Sequence, residues 1–214
     1  MFTDRRLHPQ DDLVTVLVNA EVDNTKLTDK ELYGIMSLIV SAGFSTGVQM
    51  LNNGIILLSR RPDLVAKLIE SPDLIPAFIE ELLRFSPSGI GTMRITTESV
   101  VLANITIPKG AMVMALVASA NRDPHRFLNP NDFDLFRGNS KRHMTFGHGI
   151  HNCVGSALAR LELKVAFEVL LKEFNTFLCP PHEDLLWEES FFVHGVSELP
   201  VHFSKTNIAI KEEV

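Results

Sequence analysis

Apolar residues recur at helical spacing over most of the chain, and this pattern predicts a mainly α-helical protein. A short amphipathic helix is predicted near residues 11–21. Thr28 and Glu31 then form a capping-box pattern, in which each side chain satisfies a free backbone N–H of the first helical turn. The pattern therefore predicts that a long helix begins here and runs over about 28–59.

Residues 32–59 contain no charged side chain, which raises the question of a membrane span. A helix of this length rises about 1.5 Å per residue and would be long enough to cross a bilayer. The segment is interrupted, however, by small and polar residues: Ser41, Gly43, Ser45, Thr46, Gly47, Gln49, Asn52 and Asn53. They leave no continuous face suited to lipid, so the pattern favours a helix through a protein core over a membrane span.

In the middle of the chain, the hydrophobic pattern changes from one typical of helices to one typical of strands. Helices are predicted near 64–69 and over about 72–85, and the second follows a Ser-Pro start signal. Short β-type runs separated by turn residues then predict a small sheet over about 95–117. The following Asn-, Asp-, Pro- and Gly-rich segment, to about residue 141, predicts an ordered loop.

The last third of the chain predicts one more long helix, over about 154–174. Its buried side is predicted to be a stripe of five apolar residues: Val154, Leu158, Leu161, Val165 and Val169. A C-terminal hairpin is predicted over about 190–203. The fold class is thus mainly α with small β-sheets.

Composition narrows the function classes. With 45% hydrophobic and 21% charged residues in 214, the chain is typical of a globular protein. A formal net charge of −6 without a Lys/Arg cluster argues against a nucleic-acid surface. The polar start lacks the apolar run of a signal peptide, so a cytoplasmic location is expected. Two cysteines, Cys153 and Cys179, suit a reducing compartment and a reactive or metal-binding thiol.

The candidate chemistry lies in the stretch FGHGIHNCVG. Cys153 precedes a predicted helix, whose unpaired N–H groups favour a thiolate. Glycines at 147, 149 and 155 permit unusual backbone angles and let a flat ligand approach the main chain. His151 can donate a hydrogen bond to an anionic group at the rim. An inert cysteine in a turn and a zinc site that includes His148 are the alternatives.

The stretch resembles the haem-binding loop of the cytochrome P-450 family, with pattern F-G-x-G-x-H-x-C-x-G, in which Phe146 is the first fixed position. All fixed positions match, and no second cysteine pair sits at zinc-ligand spacing. The resemblance implies a bacterial soluble member of this haem-thiolate monooxygenase family. It also implies haem b (iron protoporphyrin IX) with Cys153 as the iron ligand.

The resemblance extends to residues around the loop. EELLR matches the family's E-x-x-R, which implies an ion pair between Glu81 and Arg84 that locks their helix against the haem loop. It also implies contacts of Arg94 and His143 with the haem propionates, where exposed surface charges are the alternative. Asp132 stands where the family usually has an arginine completing the E-x-x-R cluster, so the usual network is not expected to form unchanged.

The long helix resembles the family's helix over the oxygen-binding face of the haem. Ala42, Gly43 and Thr46 match the family's A-G-x-[D/E]-T, while Ser45 replaces the acid. The resemblance implies that the Thr46 hydroxyl holds dioxygen or a proton-passing water, and that the serine relays a proton less readily than a carboxylate. The alternative is a threonine that satisfies its own helix carbonyl.

The implied activity is insertion of one oxygen atom of dioxygen into a small organic substrate. The family's pocket positions imply Phe192 and Val193, and more weakly Ile90 and Gly91, as substrate contacts. Electrons are expected from a ferredoxin or flavodoxin with its reductase, because the chain has no dinucleotide-binding fingerprint.

The resemblance covers the whole chain as a single partial domain, 1–214, but only the C-terminal half of the cytochrome P-450 fold. Three explanations stay open: a truncated or remnant monooxygenase, a chain that pairs with a separate N-terminal half, or a non-catalytic P-450-like accessory or interaction protein. Each leaves apolar surface uncovered in the chain alone, so poor solubility and weak haem retention are expected.

Overall fold

The computed structural model describes residues 1–205. Its helices are α1 (Phe2–Leu7), α2 (Leu13–Asn19), α3 (Asp29–Arg60), α4 (Pro62–Glu70), α5 (Ile75–Phe85), α6 (Val117–Ala120) and α7 (Ser156–Glu173). Its strands are β1 (Glu21–Val22), β2 (Thr25–Lys26), β3 (Thr92–Ile95), β4 (Val100–Leu102), β5 (Ile105–Ile107), β6 (Met112–Ala115), β7 (Thr176–Leu178) and β8 (His202–Ser204). The fold class is the expected one, mainly α with small sheets.

The chain divides into two compact units, Met1–Ser45 and Thr46–Val214, and the boundary falls inside α3. The first unit has a small core around Phe2, Val18 and Leu32. It also contains the capping box predicted for the start of α3. Thr28 N–H donates to Glu31 Oε2 at 2.8 Å, and Glu31 N–H donates to Thr28 Oγ1 at 3.3 Å, which confirms the sequence signal.

The second unit is built around the packing of α4, α5, α7 and the C-terminal part of α3. Phe167 of α7 is fully buried and meets Phe78 of α5 edge to face, with ring centroids 5.1 Å apart. Gly54 lets α3 approach this pair, since a Cβ there would overlap the Phe167 ring. The larger core therefore fixes which side of α7 faces inward.

The prediction of which side of α7 is buried is wrong. Val154, which precedes the helix, and Leu158, Leu161, Val165 and Val169 are all at least half exposed. The side packed into the core carries Leu163, Phe167 and Leu171 instead. The helix has two apolar stripes at helical spacing, and only the contacts of Phe167 with α3 and α5 decide between them.

The predicted small sheet is two separate antiparallel pairs. Thr92 pairs with Ala115 where β3 meets β6, and Val100 pairs with Ile107 where β4 meets β5. The turn of the β4–β5 hairpin has Ala103 and Asn104 at positive φ, the twist that two-residue hairpin turns require.

The predicted hairpin over 190–203 does not form as one ladder. Strand β8 pairs with the distant β7, with Phe203 opposite Phe177, because Phe203 packs against Phe174 and Phe177 at 5.2 and 5.6 Å between ring centroids. The segment before it closes through a single bridge between Trp187 and Val196. Long-range aromatic burial thus outweighed local pairing.

Helix α3 is a core helix only in part. Gln49, Met50 and Asn53 are buried, whereas residues 37–45 are exposed. Within residues 1–205, α3 is the one helix long and apolar enough to cross a membrane by length and composition. Core helices of soluble proteins share that property, so it is weak evidence for a span.

Candidate functional site

The loop that contains Cys153 is closed by its own backbone. Cys153 N–H donates to the Phe146 carbonyl at 2.8 Å, and Gly147 N–H donates to the Met144 carbonyl at the same distance. Gly147 and Gly149 have φ of 70° and 75°, which explains why glycine stands at both positions. This tight double turn presents the exposed Cys153 side chain ahead of α7.

Gly155 serves the loop differently from the other two glycines. Its φ of −81° is open to any residue. A Cβ at this position would stand 3.8 Å from the Cys153 Sγ. This is an ordinary van der Waals distance, so packing within the chain does not require a glycine here, and a role of Gly155 beside a flat ligand stays a prediction.

The surroundings of the thiol fit a large apolar ligand with an anionic edge. Ile150 is 98% exposed and Val154 is 92% exposed, so apolar side chains flank the cysteine without protein cover. His151 and Arg94 are exposed side chains that can meet anionic groups. Arg94 lies on β3 and donates from Nη1 to the carbonyl of its neighbour Met93. These features suit a haem bound through the cysteine.

The loop is fastened to α5 through Asn121 and Thr145. The Asn121 side chain accepts from Met144 N–H at 2.7 Å and donates to Thr145 Oγ1 at 2.9 Å. Thr145 Oγ1 in turn donates to the Leu83 carbonyl at 2.7 Å. Asn121 is fully buried, so these bonds are shielded from water. Sequence reasoning missed both residues, because an isolated Asn and Thr carry no pattern.

Glu81 and Arg84 form the ion pair that the E-x-x-R resemblance implies. Both side chains are fully buried, and Arg84 Nη2 lies 2.7 Å from Glu81 Oε1. Arg84 Nη1 donates to the carbonyls of Asn121 and Pro130. Its Nε and Nη2 donate to Glu81 and the Asp132 carbonyl, so every donor of the guanidinium is used. The pair thus supports the segment around Asn121 that holds the haem loop.

Asp132 was expected to keep the usual cluster from forming unchanged, but a three-membered cluster forms with an arginine from another position. Arg137, five residues further on, completes it with its Nε 2.9 Å from Glu81 Oε1. Asp132 takes part through its backbone carbonyl, which accepts from both Arg84 and Arg137. The position of the third cluster residue depends on how the loop folds, which a comparison by sequence spacing does not reveal.

His143 lies inside the protein, with 8% of its surface exposed. Its Nδ1 accepts from Thr145 N–H at 3.2 Å, and its Nε2 lies 3.3 Å from Glu80 Oε2 without hydrogen-bond geometry. The contact of His143 with a haem propionate stays a prediction. In this structure its ring links the haem loop to Glu80 on α5.

Glu80 is a second buried carboxylate that sequence reasoning missed. Burial raises its pKa, but His143 and Arg160 oppose this and leave the pKa near 2, below the usual 4.5. Arg160 of α7 donates to both carboxylate oxygens and stacks 4.6 Å above the Phe146 ring. Glu80 therefore ties α7 and the haem loop to α5.

We expect this carboxylate to make stability depend on acid pH. Because the folded pKa is lowered, the stabilisation is complete above pH about 4.5 and is lost as the pH falls toward about 2. Its full size is roughly 3 kcal/mol. Urea unfolding at a series of pH values measures the free energy of unfolding, and Glu80→Gln should flatten its dependence on pH. Glu70, in an exposed pair with Lys67, is the matched control; an equal flattening in Glu70→Gln contradicts the assignment.

The predicted oxygen-side residues divide between the two units. Thr46 begins the second unit and is half-buried, while Ala42, Gly43 and Ser45 are exposed residues of the first. Gly43 has open space where a Cβ would stand, so packing within this chain does not require a glycine there. The roles of these four residues stay predictions from the resemblance.

The four predicted substrate-pocket residues come from two segments that the structure pairs. Ile90 N–H donates to the Phe192 carbonyl at 2.9 Å, and Val193 forms a bridge with Gly89. Gly91 has a packing role, since a Cβ there would lie 2.6 Å from the carbonyl of Ala115. Phe192 remains half exposed, as expected of a side chain available to a ligand.

A mainly helical fold, a buried E-x-x-R cluster and an exposed cysteine on a glycine loop together are features of the haem-thiolate class. The Cytochrome P450 family model matches residues 3–201. The chain belongs to the cytochrome P450 family.

Bacterial relatives support the same assignment. The chain is 40% identical, over 94% of its length, to the Polyketide biosynthesis cytochrome P450 PksS of Bacillus subtilis. It is 39% identical, over 92% of its length, to the Mycinamicin IV hydroxylase/epoxidase of Micromonospora griseorubida. It covers 50% of each of these two proteins.

Solved structures agree with this assignment. Cytochrome P450 CYP109Q5 from Chondromyces apiculatus is 36% identical with a TM-score of 0.91, and the match covers 96% of this chain and 53% of that one. The chain thus spans about half the length of the curated relatives it matches, and the expected partial P-450 fold is confirmed.

Proposed function

We propose that the chain is the haem-binding half of a bacterial monooxygenase that inserts one oxygen atom of dioxygen into a small organic substrate. The observation that carries the proposal is the exposed Cys153 on a glycine-shaped loop fastened to the buried Glu81 cluster. Its family membership and the hydroxylase/epoxidase among its relatives support the reaction class.

The proposed chemistry assigns a task to each part of the loop. When bound, haem b supplies the activation of dioxygen, and the Cys153 thiolate holds the iron and raises its electron density. Gly147 and Gly149 keep the main chain close to the flat ligand. Arg94 and His151 bind its carboxylates. The buried fastening of the loop keeps the thiol in place, so ligation needs little reorganisation.

Thr46 is the proposed proton-handling residue on the other side of the ligand. A hydroxyl can hold water by donating one hydrogen bond and accepting another, which suits it to pass protons. Because Ser45 replaces the family's acid, we propose that proton delivery relies on hydroxyl groups and is slower than with a carboxylate. Phe192 and Val193 are the proposed contacts with an apolar organic substrate.

An acidic electron carrier, a ferredoxin or flavodoxin with its reductase, is the proposed partner in the cytoplasm. A cavity of about 280 Å³ adjoins the cysteine loop and is lined partly by cationic or protonatable side chains, Lys141, Arg142, His148 and Arg160. Arg160 is paired with Glu80, but Lys141 and Arg142 are exposed at its rim. Positive charge beside the haem loop favours the approach of an acidic carrier.

The test is a haem titration of the purified chain, followed by reduction under carbon monoxide. A difference band of the thiolate type supports the proposal. A band typical of nitrogen ligation, or no uptake of haem at any ratio, contradicts it for this chain. Absence of haem uptake favours the alternative of a non-catalytic P450-like remnant or interaction protein.

The exposed stripe of α7 favours a partner that supplies the missing half. Leu158, Leu161, Val165 and Val169 lie on one side of the helix and are all at least half exposed. A stripe of this kind on a soluble chain marks an interaction surface or an aggregation liability. We propose that an N-terminal half, in the same polypeptide or on a separate chain, covers it.

We expect Leu161→Glu with Val165→Glu to increase the monomeric fraction of the chain, because two charges interrupt the apolar stripe. Size-exclusion chromatography at several protein concentrations measures it. The same double variant should no longer bind a co-expressed N-terminal half. Leu128→Glu, at an exposed leucine outside α7, is the control; an equal gain in that variant argues against the stripe as the interface.

A further inference from the structure

The segment that carries Phe192 and Val193 has little regular structure of its own. Residues 187–200 contain only bends and isolated bridges, so their position depends on the elements that hold them. Ser190 Oγ accepts from the N–H groups of Phe192 and Val193 at 3.2 and 3.1 Å, which orders the tip locally. The tip also pairs with the segment before β3, where Ile90 N–H donates to the Phe192 carbonyl at 2.9 Å, and both segments are held by side chains of α3.

The side chain of Gln49 on α3 binds the backbone of this segment through two buried hydrogen bonds, which together are called the Gln49 grip. Gln49 Oε1 accepts from Val196 N–H at 3.0 Å, and Gln49 Nε2 donates to the Val196 carbonyl at 2.9 Å. The amide therefore satisfies both backbone groups of one residue, as a neighbouring strand would. Gln49 and Val196 are 6% and 1% exposed, so water does not replace these bonds.

Gly195 completes the grip. A Cβ on Gly195 would overlap the carboxamide of Gln49. The missing side chain is thus what allows the amide to reach the backbone of the next residue. Without a glycine here, the two hydrogen bonds of Gln49 and the path of the segment cannot both be kept.

Asn53, one helical turn further along α3, ties the same segment to the other half of the predicted pocket. Its Nδ2 donates to the carbonyls of Ser86 and His194 at 3.1 and 3.2 Å. His194 N–H donates to the Ser88 carbonyl at 2.7 Å. Asn53 thus joins the segment between α5 and Ile90 to the segment after Val193.

We propose that Gln49 is a positioning residue that sets where Phe192 and Val193 lie, and thereby which small organic substrates the enzyme accepts. This rests on the proposed function for the identity of the pocket, but the grip itself does not depend on haem. Gln49 lies three residues after Thr46 on the same helix. One helix thus carries both the proposed proton-handling residue and the residue that places the substrate contacts.

The protein contains its own reporter for this grip. Trp187 is the only tryptophan in the chain, and its ring stacks on His194 at 4.9 Å between centroids and 8° between planes. It also contacts His182, with 4.8 Å between ring centroids. Release of the segment from Gln49 should therefore unstack Trp187 and expose it to water.

The first experiment compares Trp187 fluorescence in Gln49→Ala and Gln10→Ala. Gln10 is an exposed glutamine and serves as the matched control. We expect a shift to longer wavelength and stronger acrylamide quenching in Gln49→Ala only. Gln49→Glu keeps an acceptor for Val196 N–H but loses the donor to its carbonyl, so it should give an intermediate shift. Emission unchanged in Gln49→Ala overturns the proposal.

A double-mutant cycle keeps the proposal testable if single variants simply lose stability. Gly195→Ala should shift Trp187 emission in the parent chain, because the new Cβ displaces the Gln49 amide. In the Gln49→Ala background the same change should have little further effect, since the obstructing side chain is gone. Additive shifts contradict the proposed coupling.

The second experiment separates positioning from simple support. In the haem-loaded chain, 4-phenylimidazole serves as an apolar probe that binds beside the iron. We expect Gln49→Ala to change its dissociation constant several-fold while the thiolate band stays in place. An unchanged constant alongside a shifted Trp187 overturns the positioning role. Failure of haem uptake refutes the proposed function instead, and the fluorescence comparison then decides the grip alone.

Discussion

Cys153→Ala abolishes the thiolate-type carbon monoxide band while leaving the fold intact. This is the expected result because Cys153 is the sulfur ligand of the glycine loop, and neither an alanine methyl nor the neighbouring imidazoles of His148 and His151 give a thiolate-type band. The side chain is exposed and makes no core contact, so the free energy of unfolding should change by less than about 0.5 kcal/mol. Absorption spectroscopy of the reduced, haem-loaded chain and urea unfolding measure the two quantities.

Cys179→Ala is the matched control for this experiment. Cys179 is the other free cysteine, and it packs against the main core after β7. This variant should keep the thiolate band. A band that survives Cys153→Ala, or that disappears in Cys179→Ala, would show that the loop does not supply the iron ligand.

Arg84→Ala has the largest expected effect on stability. The substitution leaves the fully buried Glu81 carboxylate without its main cation, and it removes the Arg84 hydrogen bonds to the carbonyls of Asn121 and Pro130. The Asp132 carbonyl keeps its bond from Arg137. Removing one partner of a buried ion pair costs about 3–5 kcal/mol. Urea unfolding followed by circular dichroism measures the loss. Haem retention should fall with it, because Asn121 also holds the cysteine loop.

Two comparisons keep this result interpretable. Arg61→Ala removes an exposed pair with Asp63 and should cost less than about 1 kcal/mol. Arg137→Ala leaves Arg84 in place beside Glu81 and should fall between the two, at about 1–3 kcal/mol. If Arg84→Ala proved no more costly than Arg61→Ala, the buried cluster would not be what supports the loop.

Much of the fold could be predicted from local patterns. The capping box at Thr28 marked the start of α3, which the structure begins at Asp29. The β-type runs at Val100–Leu102 and Ile105–Ile107 were predicted as parts of a small sheet, and the structure pairs them with each other as β4 and β5. These signals work because a helix cap or a tight turn is decided by a few neighbouring residues.

The site was predictable only where residues act through their own loop. Gly147, Gly149 and Cys153 follow one another closely, so their pattern resembles the family's haem-binding loop and implies the haem site proposed here. Asn121, Arg137 and Gln49 were missed because each contacts a residue far away in the chain. Gln49 and Val196, for example, are 147 residues apart.

The sequence by itself determined the family, the iron ligand proposed for it and the order of helices, because short motifs and helical periodicity are local properties. Only the tertiary structure decided that α7 turns Phe167 inward and leaves Leu161 outside, and that Arg137 supplies the third member of the Glu81 cluster. The physical reason is that either apolar stripe would satisfy an isolated helix. The choice depends on which neighbour can approach, and here the missing side chain of Gly54 allows that approach.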